Sequence, residues 1–260
     1  MAKMQALSIT PLPAFNDNYL WLLARGTSAA VVDPGDEEPV IRALDRLDLR
    51  LDAILVTHHH PDHVGGVTAL KLRYQAAVYG PEREPIPARD HPLTGGDAIE
   101  VLGTRFVVID VPGHTAGHIA YYAPSEAVVF CGDTLFGCGC GRLFEGTPAQ
   151  MLASLESLAA LPVQTRVYCA HEYTLANIRF ALAVEPGNSA LQARAAAAAA
   201  TRRRGEPTLP STIGLELATN PFMRCDVPAI RDAAGRREKG TETAAVTTFA
   251  ALREWKNGFA

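Results

Sequence analysis

The chain lacks the features that would direct it to nucleic acid, to a membrane or to secretion. Its 28 acidic residues outnumber its 24 basic ones, and the net charge of -4 provides no basic field for binding along a phosphate backbone. The longest aliphatic stretches are much shorter than a membrane span. The opening sequence MAKMQALSITPLPAF has one lysine and two prolines before any apolar run, which is a poor secretory signal. We therefore expect a cytoplasmic protein with no nucleic-acid or membrane partner.

Cysteines are few and odd in number, which argues against a disulfide framework and agrees with a reducing compartment. The five are Cys131, Cys138, Cys140, Cys169 and Cys225. Cys138 and Cys140 are spaced as a pair that could bind metal, but no second pair with finger-like spacing accompanies them. We interpret them as small thiols in a glycine-rich loop.

The first two thirds of the chain alternate short apolar runs with turns. Runs bounded by turn residues predict strands at residues 7–10, 19–24, 29–33, 53–57 and 167–171. Helical periodicity predicts helices at residues 37–49, 64–74 and 151–161. The length of 260 residues allows one or two domains.

After residue 173 the strand patterns give way to helix formers. The segments TLANIRFALAV, SALQARAAAAAATRRR and TTFAALREWKNGF all favour helices, and alanine is the strongest helix former among the residues. We therefore place a domain boundary here, with an α/β domain at residues 1–173 and a helical domain at residues 174–260.

Metal-ligating residue types are concentrated in one short run and at the ends of later strands. The run THHHPDH contains His58, His60, Asp62 and His63, and the later residues are His114, Asp133 and His171. In an extended loop alternate side chains face the same way, so His58 and His60 are placed to share one metal while His59 points elsewhere. Strand ends at one edge of a sheet can bring the remaining ligands together. The seven residues suffice for two Zn2+ ions that share one carboxylate.

Charge counting supports a hydrolytic rather than a structural site. Two Zn2+ ions bring four positive charges, and Asp62, Asp133 and a hydroxide between the ions would remove three, since neutral histidine removes none. The remaining positive charge suits an anionic substrate or a developing oxyanion. A structural zinc needs only four closed ligands, so a binding protein without turnover is the less favoured alternative.

The order of these motifs resembles the metallo-β-lactamase superfamily, and more narrowly the glyoxalase II, or hydroxyacylglutathione hydrolase, family. The superfamily markers are VVDPGD, THHHPDH, PGHTAGH, CGDTLF and CAHEYT; the narrower ones are FNDNY, GCGRLFEGT, NPF and a terminal R-x-x-K-x-x-F. The resemblance runs nearly end to end. It implies an α/β fold, an αββα metallo-β-lactamase sandwich followed by a C-terminal helical domain.

The resemblance also implies a role for each matched residue. His58, His60 and His114 would bind the first metal, Asp62, His63 and His171 the second, and Asp133 both. Asp33 would orient the ligand loop without binding metal itself. Contacts to glutathione would come from Arg142, Tyr173, Arg253 and Lys256. Some members carry tyrosine where this chain has Phe144, which cannot donate a phenol hydrogen bond.

The implied reaction is hydrolysis of S-D-lactoylglutathione to D-lactate and glutathione, the second step of methylglyoxal detoxification. Our hypothesis is that a metal-bound hydroxide, held by Asp62 and Asp133, attacks the thioester carbonyl. We expect Zn2+, with Fe or Mn as alternatives, and a monomer. Another hydrolase of the superfamily, such as a lactonase or a β-lactamase, and a mononuclear-iron persulfide dioxygenase are the alternative enzymes.

Overall fold

The computed structural model describes residues 5–235 and 244–259. Residues 1–4, which begin the segment used to predict the compartment, and residues 236–243 and 260 of the predicted helical domain lie outside the described residues. The chain divides into two compact units. The first comprises Met1–Asp110 and Ala116–Gly132, and the second comprises Val111–Thr115 and Asp133–Ala260.

The first unit contains two sets of strands and the helices that connect them. The strands are β1 (Ser8–Ala14), β2 (Asn18–Arg25), β3 (Ser28–Val32), β4 (Arg50–Leu55), β5 (Ala77–Pro81), β6 (His91–Leu93), β7 (Ala98–Val101), β8 (Thr104–Asp110), β9 (Ile119–Ala123) and β10 (Val128–Gly132), and the helices are α1 (Glu37–Leu47), α2 (Pro61–Val64) and α3 (Val67–Tyr74). Strands β1 to β6 form one sheet in sequence order. It is antiparallel from β1 to β3 and parallel from β3 to β6. Strands β7 to β10 form an antiparallel meander.

Strand β1 continues four residues beyond its predicted end, through two prolines. Pro11 pairs with Trp21 and Pro13 with Tyr19. Because β1 is the edge strand of its sheet, alternate positions need no ladder hydrogen bond from their nitrogen, and proline is tolerated there. Composition alone did not reveal that these prolines lie in an edge strand.

Helices α1 and α3 cover one face of the first sheet. Val40, Ala43 and Leu44 of α1 are buried at helical spacing and join a core cluster with Leu70 of α3 and with alternate residues of the strands. On β2 and β3 the intervening residues, whose side chains point to the opposite face of the sheet, are also buried, and Leu23 is one of them. Both faces of β2 and β3 are therefore protected from water, which explains why these two strands are nearly continuous apolar runs.

The helix predicted at residues 64–74 is divided in two by Gly65 and Gly66. A Cβ on Gly65 would lie 2.3 Å from the carbonyl oxygen of Gly35, and one on Gly66 would lie 2.6 Å from the nitrogen of Glu37. The two glycines therefore allow close approach of the chain near residues 34–37. The helical prediction was wrong at this junction, because the periodic pattern does not register backbone-to-backbone contact.

The second unit is mainly helical. Its strands are β11 (Leu135–Phe136), β12 (Gly139–Cys140), β13 (Arg166–Cys169) and β14 (Ser211–Thr212), and its helices are α4 (Pro148–Ala159), α5 (Thr174–Val184), α6 (Ser189–Arg203), α7 (Ile213–Thr219), α8 (Pro228–Gly235) and α9 (Ala244–Asn257). Helices α5 and α6 pack through Ile178, Ala181, Leu191 and Ala198. The pairing of β14 with β13 places a short strand in a region predicted as purely helical.

Candidate metal centre and substrate contacts

Strand β4 delivers the chain into the histidine-rich loop of the first unit. The Nε2 of His58 lies 3.2 Å from the Nδ1 of His60, and His58 is fully buried. His59 turns the other way, and its Nδ1 lies 2.9 Å from an oxygen of Glu84. His60 has extended backbone angles just before α2 begins at Pro61. The local backbone thus brings the alternate histidines together.

Asp62 and His63 lie in the short helix α2. The Nε2 of His63 lies 3.6 Å from the Oδ2 of Asp62, and the rings of His58 and His63 have centroids 4.0 Å apart. Asn18 donates to the Oδ2 of Asp62 at 2.9 Å. Sequence reasoning quoted the FNDNY motif without giving Asn18 a role. The structure shows that this motif holds one candidate ligand in place.

Asp33 links the turn after β3 to the histidine-rich loop. Its carboxylate accepts from the backbone nitrogen of Thr57 at 2.7 Å and from the Thr57 hydroxyl at 2.8 Å. The same carboxylate lies 3.2 Å from the Nδ1 of His63. A carboxylate at Nδ1 favours the tautomer whose Nε2 lone pair remains available for a metal.

Four imidazole rings are crowded in the first unit. The ring of His58 lies within 4.8 Å of His60, 4.0 Å of His63 and 4.5 Å of His118, measured between centroids. Protonating these rings together would place like charges side by side in a buried position, which is strongly unfavourable. Neutral rings that donate lone pairs to a cation fit this spacing.

In the second unit one aspartate lies between two histidines. The Oδ2 of Asp133 lies 3.4 Å from the Nε2 of His114 and 3.3 Å from the Nε2 of His171. All three residues are buried. One carboxylate oxygen facing two imidazole nitrogens is the arrangement that a shared ligand requires.

Neighbouring groups orient both of these histidines. The Nδ1 of His114 lies 2.9 Å from the carbonyl oxygen of Arg142, so this nitrogen donates and Nε2 presents its lone pair. The ring of His171 stacks on Tyr173 at 4.7 Å with an interplanar angle of 2°. A Cβ at Gly141 would lie 2.0 Å from the carbonyl oxygen of Asp133, so only glycine fits beside the ligand.

These donors suit a divalent metal. Each of the seven candidate ligands belongs to a group of three His or Asp side chains that is suited to hold a metal ion. Imidazole nitrogen and carboxylate oxygen are ligands for Zn, Fe and Mn. The donor set therefore fits metal ions without selecting one of them.

The predicted substrate contacts differ in how exposed they are. Tyr173 is 36% exposed and Arg142 is also exposed, whereas Arg253 is only 6% exposed. Arg253 donates to the carbonyl oxygen of Cys140 at 2.9 Å and to Asn257 at 3.2 Å. Part of its guanidinium is therefore committed to contacts within the protein.

Lys256 is half-buried in an aromatic and cationic environment. Its Nζ lies 5.5 Å from the ring centroid of Phe180 and donates to the carbonyl oxygen of Ala176 at 3.4 Å. Burial lowers the pKa of Lys256, and the positive charges of Arg253, Arg179 and Arg142 lower it further. Sequence reasoning missed Arg179, because a lone arginine on a helix has no distinctive pattern.

The cysteine pair in the glycine-rich loop has no features of a reactive site. All five cysteines are free and buried. Burial raises the pKa of Cys138 to about 12, and it also raises the pKa of Cys140. The Cys138 thiol donates to the carbonyl oxygen of Thr219 at 3.2 Å. Protonated thiols of this kind are poor metal ligands and poor nucleophiles.

Comparison with known proteins accounts for nearly all of the chain. Residues 15–171 match the metallo-beta-lactamase superfamily, and residues 172–259 match the hydroxyacylglutathione hydrolase C-terminus. The hydroxyacylglutathione hydrolase of Pseudomonas aeruginosa (strain LESB58) is 58% identical over 257 residues, covering 97% of this chain and 100% of that protein. The one from Dechloromonas aromatica (strain RCB) is 54% identical over 266 residues, with the same coverage of 97% and 100%.

Solved structures give the same fold. The structure of TTHA1623 in a di-iron-bound form is 30% identical, with a TM-score of 0.60 over 82% of this chain and 99% of that one. No helix among the described residues is long and apolar enough to cross a membrane. The predicted fold class, an α/β metallo-β-lactamase fold with a C-terminal helical region, is confirmed. With full-length relatives at this identity and both family regions in order, the chain belongs to the hydroxyacylglutathione hydrolase family of the metallo-β-lactamase superfamily.

Proposed function

We propose that this enzyme hydrolyses S-D-lactoylglutathione, and 2-hydroxyacylglutathiones generally, to the hydroxy acid and glutathione, the second step of methylglyoxal detoxification. The observation that carries the proposal is the histidine and aspartate ligand set, centred on Asp133 between His114 and His171. Full-length similarity to hydroxyacylglutathione hydrolases supports the glutathione thioester as substrate.

The seven ligands would hold two divalent ions. His58, His60 and His114 would bind one ion, Asp62, His63 and His171 the other, and Asp133 both. When bound, two such ions would lower the pKa of a water molecule to about 7 and so supply a nucleophile at neutral pH, and they would polarise the thioester carbonyl. We propose Zn2+ as the native metal, with Fe or Mn as alternatives. The di-iron-bound form of a related structure supports a two-metal site.

The protein groups around the ligands prepare them for this task. Asp33 and the carbonyl oxygen of Arg142 lie at the Nδ1 atoms of His63 and His114. The hydrogen bond to Arg142 fixes the tautomer and ring orientation of His114, which raises the basicity of the ligand, and the Asp33 carboxylate places negative charge beside His63. Asn18 performs a similar function at Asp62 by donating to one of its oxygens. These contacts reduce the reorganisation that binding and reaction would otherwise require.

Positive side chains of the C-terminal helices would bind the glutathione moiety. Arg253 and Lys256 would attract its glycine carboxylate, and Arg142 and Tyr173 would contact the rest of the tripeptide. The positive charges of Arg253 and Arg142 lower the pKa of Lys256, which supports a concentration of positive charge around this lysine. A thiolate is a good leaving group, so a strong general acid is not required at this end.

The domain organisation and setting of the enzyme are also proposals. We propose a catalytic domain at residues 1–173 and a helical substrate-binding domain at residues 174–260. The adjacent family matches at 15–171 and 172–259 support this boundary. We further propose a cytoplasmic monomer whose partner is the small-molecule thioester.

A substrate comparison tests the activity. The purified, metal-loaded enzyme should cleave S-D-lactoylglutathione much faster than a lactone or a β-lactam, and Asp133→Asn should lose most of that activity together with bound metal. His91→Ala is a matched control, because His91 is exposed and stacks on Tyr79 at 4.5 Å. A preference for the lactone or β-lactam would contradict the proposal. So would full activity in Asp133→Asn.

A further inference from the structure

The segment Gly137–Arg142, here called the 137–142 segment, contains the two-residue strand β12, which pairs with β11, and side chains also hold it in place. Its carbonyl oxygens accept from side chains of the C-terminal helical region: Asn177 Nδ2 donates to Gly137 O at 3.1 Å, Asn220 Nδ2 to Gly139 O at 2.9 Å and Arg253 Nη1 to Cys140 O at 2.9 Å. Three separate points of the helical region thus fix one short segment.

Glu216 of α7 holds the same segment by accepting a hydrogen bond from a backbone nitrogen of the segment. One carboxylate oxygen accepts from the backbone nitrogen of Cys138 at 2.8 Å and from Asn220 at 3.0 Å. The other accepts from Arg194 at 2.6 Å and from the Ser211 hydroxyl. Glu216 is fully buried. A buried carboxylate persists only when its oxygens are fully compensated, as they are here.

Arg194 of α6 completes this buried network. Its side chain donates to Thr219 Oγ1 at 2.6 Å and to Ser211 Oγ at 3.1 Å, in addition to Glu216. Burial opposes the charge of Arg194, but the Glu216 carboxylate outweighs that effect and raises the pKa of the guanidinium. The Arg194 guanidinium therefore stays charged and directs one of its N–H groups at Glu216.

The segment itself needs such support. Cys138 has a φ of +59°, a left-handed conformation that is unfavourable for residues other than glycine and persists only when the surroundings impose it. A larger residue at the neighbouring Gly139 would displace Asn177, since a Cβ there would lie 2.5 Å from Asn177 Nδ2. The conformation is thus imposed by the helical region.

The far end of the segment touches a candidate metal ligand. Gly141 donates its backbone N–H to Thr134 O at 3.1 Å, and Arg142 O lies 2.9 Å from His114 Nδ1. The position of the segment therefore sets where the His114 ring is anchored. It also sets the backbone position from which the Arg142 side chain extends.

We propose that Glu216, supported by Arg194, is a positioning residue that fixes the 137–142 segment and through it the orientation of His114 and Arg142. This inference rests on the proposed function, because it assigns His114 to metal and Arg142 to glutathione. The bonds of Glu216 described above are to Cys138, Asn220, Arg194 and Ser211. Its effect passes through the backbone from Cys138 to Arg142.

The first test measures amide hydrogen exchange in the metal-free protein. The two carboxylate oxygens of Glu216 accept from Cys138 and from Arg194 respectively. Glu216→Gln leaves one oxygen, so only one of these two hydrogen bonds can be kept. Losing one hydrogen bond of that kind should speed exchange at the Cys138 amide roughly tenfold or more. The matched control is Glu185→Gln, which breaks the ion pair of Glu185 with Arg224 in the same unit without touching the segment. Exchange at Cys138 should not change in that control.

The second test separates positioning from general stability. At saturating metal, Glu216→Gln should raise KM for S-D-lactoylglutathione by roughly tenfold with a smaller fall in kcat. In a separate metal titration, the same variant should bind metal more weakly. Glu185→Gln is the stability reference and should leave KM and metal affinity unchanged. Unchanged exchange at Cys138, or unchanged KM and metal affinity, in Glu216→Gln would overturn the inference.

A double variant guards against loss of folding. Replacing both partners, as Arg194→Met with Glu216→Leu, avoids an isolated buried charge and is often tolerated. It still removes the acceptor of the Cys138 N–H, so the same faster exchange and higher KM are expected. Failure of the wild-type enzyme to cleave the thioester would overturn the proposed function instead, and the exchange test on metal-free protein distinguishes the two cases.

Discussion

At the scale of single residues, the positive charge of Lys256 would favour substrate binding but is unfavourable for the stability of the fold. Burial, followed by Arg253, Arg179 and Arg142, lowers the pKa of Lys256, so the fold disfavours its charged form. Lys256→Met keeps a long unbranched side chain and removes the positive charge. We expect KM for the glutathione thioester to rise about tenfold while the melting temperature stays the same or rises.

Steady-state kinetics and thermal unfolding of the same preparation test this expectation. Lys71→Met is the matched control, because Lys71 belongs to an ion pair with Asp90 in the first unit and should leave KM unaltered. An unaltered KM in Lys256→Met would remove Lys256 from the proposed substrate site.

Glu84 is a second residue whose role follows from its contacts. It is 5% exposed, and its carboxylate accepts from the backbone nitrogen of His59 at 2.6 Å and of Gly117 at 3.0 Å. Glu84→Gln removes one acceptor and should leave a buried N–H without its partner, which costs about 1–3 kcal/mol of unfolding free energy.

Urea unfolding measures that cost, with Glu82→Gln as the control because Glu82 lies exposed on the same turn. A Glu84→Gln variant as stable as the control would mean that this carboxylate does not hold the two segments. Sequence reasoning found His59 but not Glu84. The two residues are 25 positions apart, and no local pattern connects them.

At the scale of elements, α1 depends on a single apolar face. Leu44 is 1% exposed, whereas Leu47 at the end of the same helix is 47% exposed. Leu44→Ala should therefore cost about 2–5 kcal/mol of unfolding free energy, and Leu47→Ala much less. Denaturant unfolding of both variants tests the difference, and equal losses would contradict this packing.

The end of α5 makes an acid-sensitive contact. Glu185 pairs with Arg224 at 3.0 Å between Nη2 and Oε1. Burial acts to raise the pKa of Glu185, but hydrogen bonds from Arg224 and Asn188 outweigh it and the net pKa is lowered. A lowered folded pKa gives stability that is present above the unfolded value and is lost as pH falls through the folded value.

Arg224→Met should consequently be less stable than wild type at neutral pH, and the difference should shrink below about pH 4, near the unfolded pKa of glutamate. Unfolding free energies measured across that range check the sign. A difference that grew on acidification would contradict the assigned contribution of Glu185.

Elements were predicted well where a periodic pattern was strong. The apolar runs that precede His58 and His171 are the strands β4 and β13. The pattern could not show that Gly65 and Gly66 interrupt a helix, since the cause is a close approach to residues 34–37. Nor could it show β14, whose two residues are too few to have a period.

At the scale of the whole molecule, the ligand residue types were visible in the sequence but the supporting contacts were not. Histidine and aspartate in THHHPDH are distinctive because their crowding needs a cation. Glu216 is an ordinary helical glutamate in sequence, and its bond to Cys138 joins positions 78 apart. Contacts of that kind follow from tertiary packing, which one sequence does not specify locally.

The central claim is that the seven histidine and aspartate ligands bind two metal ions and that the metal-loaded protein is a glutathione thioesterase. Metal content and thioester cleavage measured on one preparation, before and after chelation and reloading, test it most directly. We predict two divalent ions per chain, rapid cleavage of S-D-lactoylglutathione, loss of cleavage with the metal and its return on reloading. A fully loaded protein that leaves the thioester intact, or a metal-free protein that cleaves it at full rate, would contradict the claim.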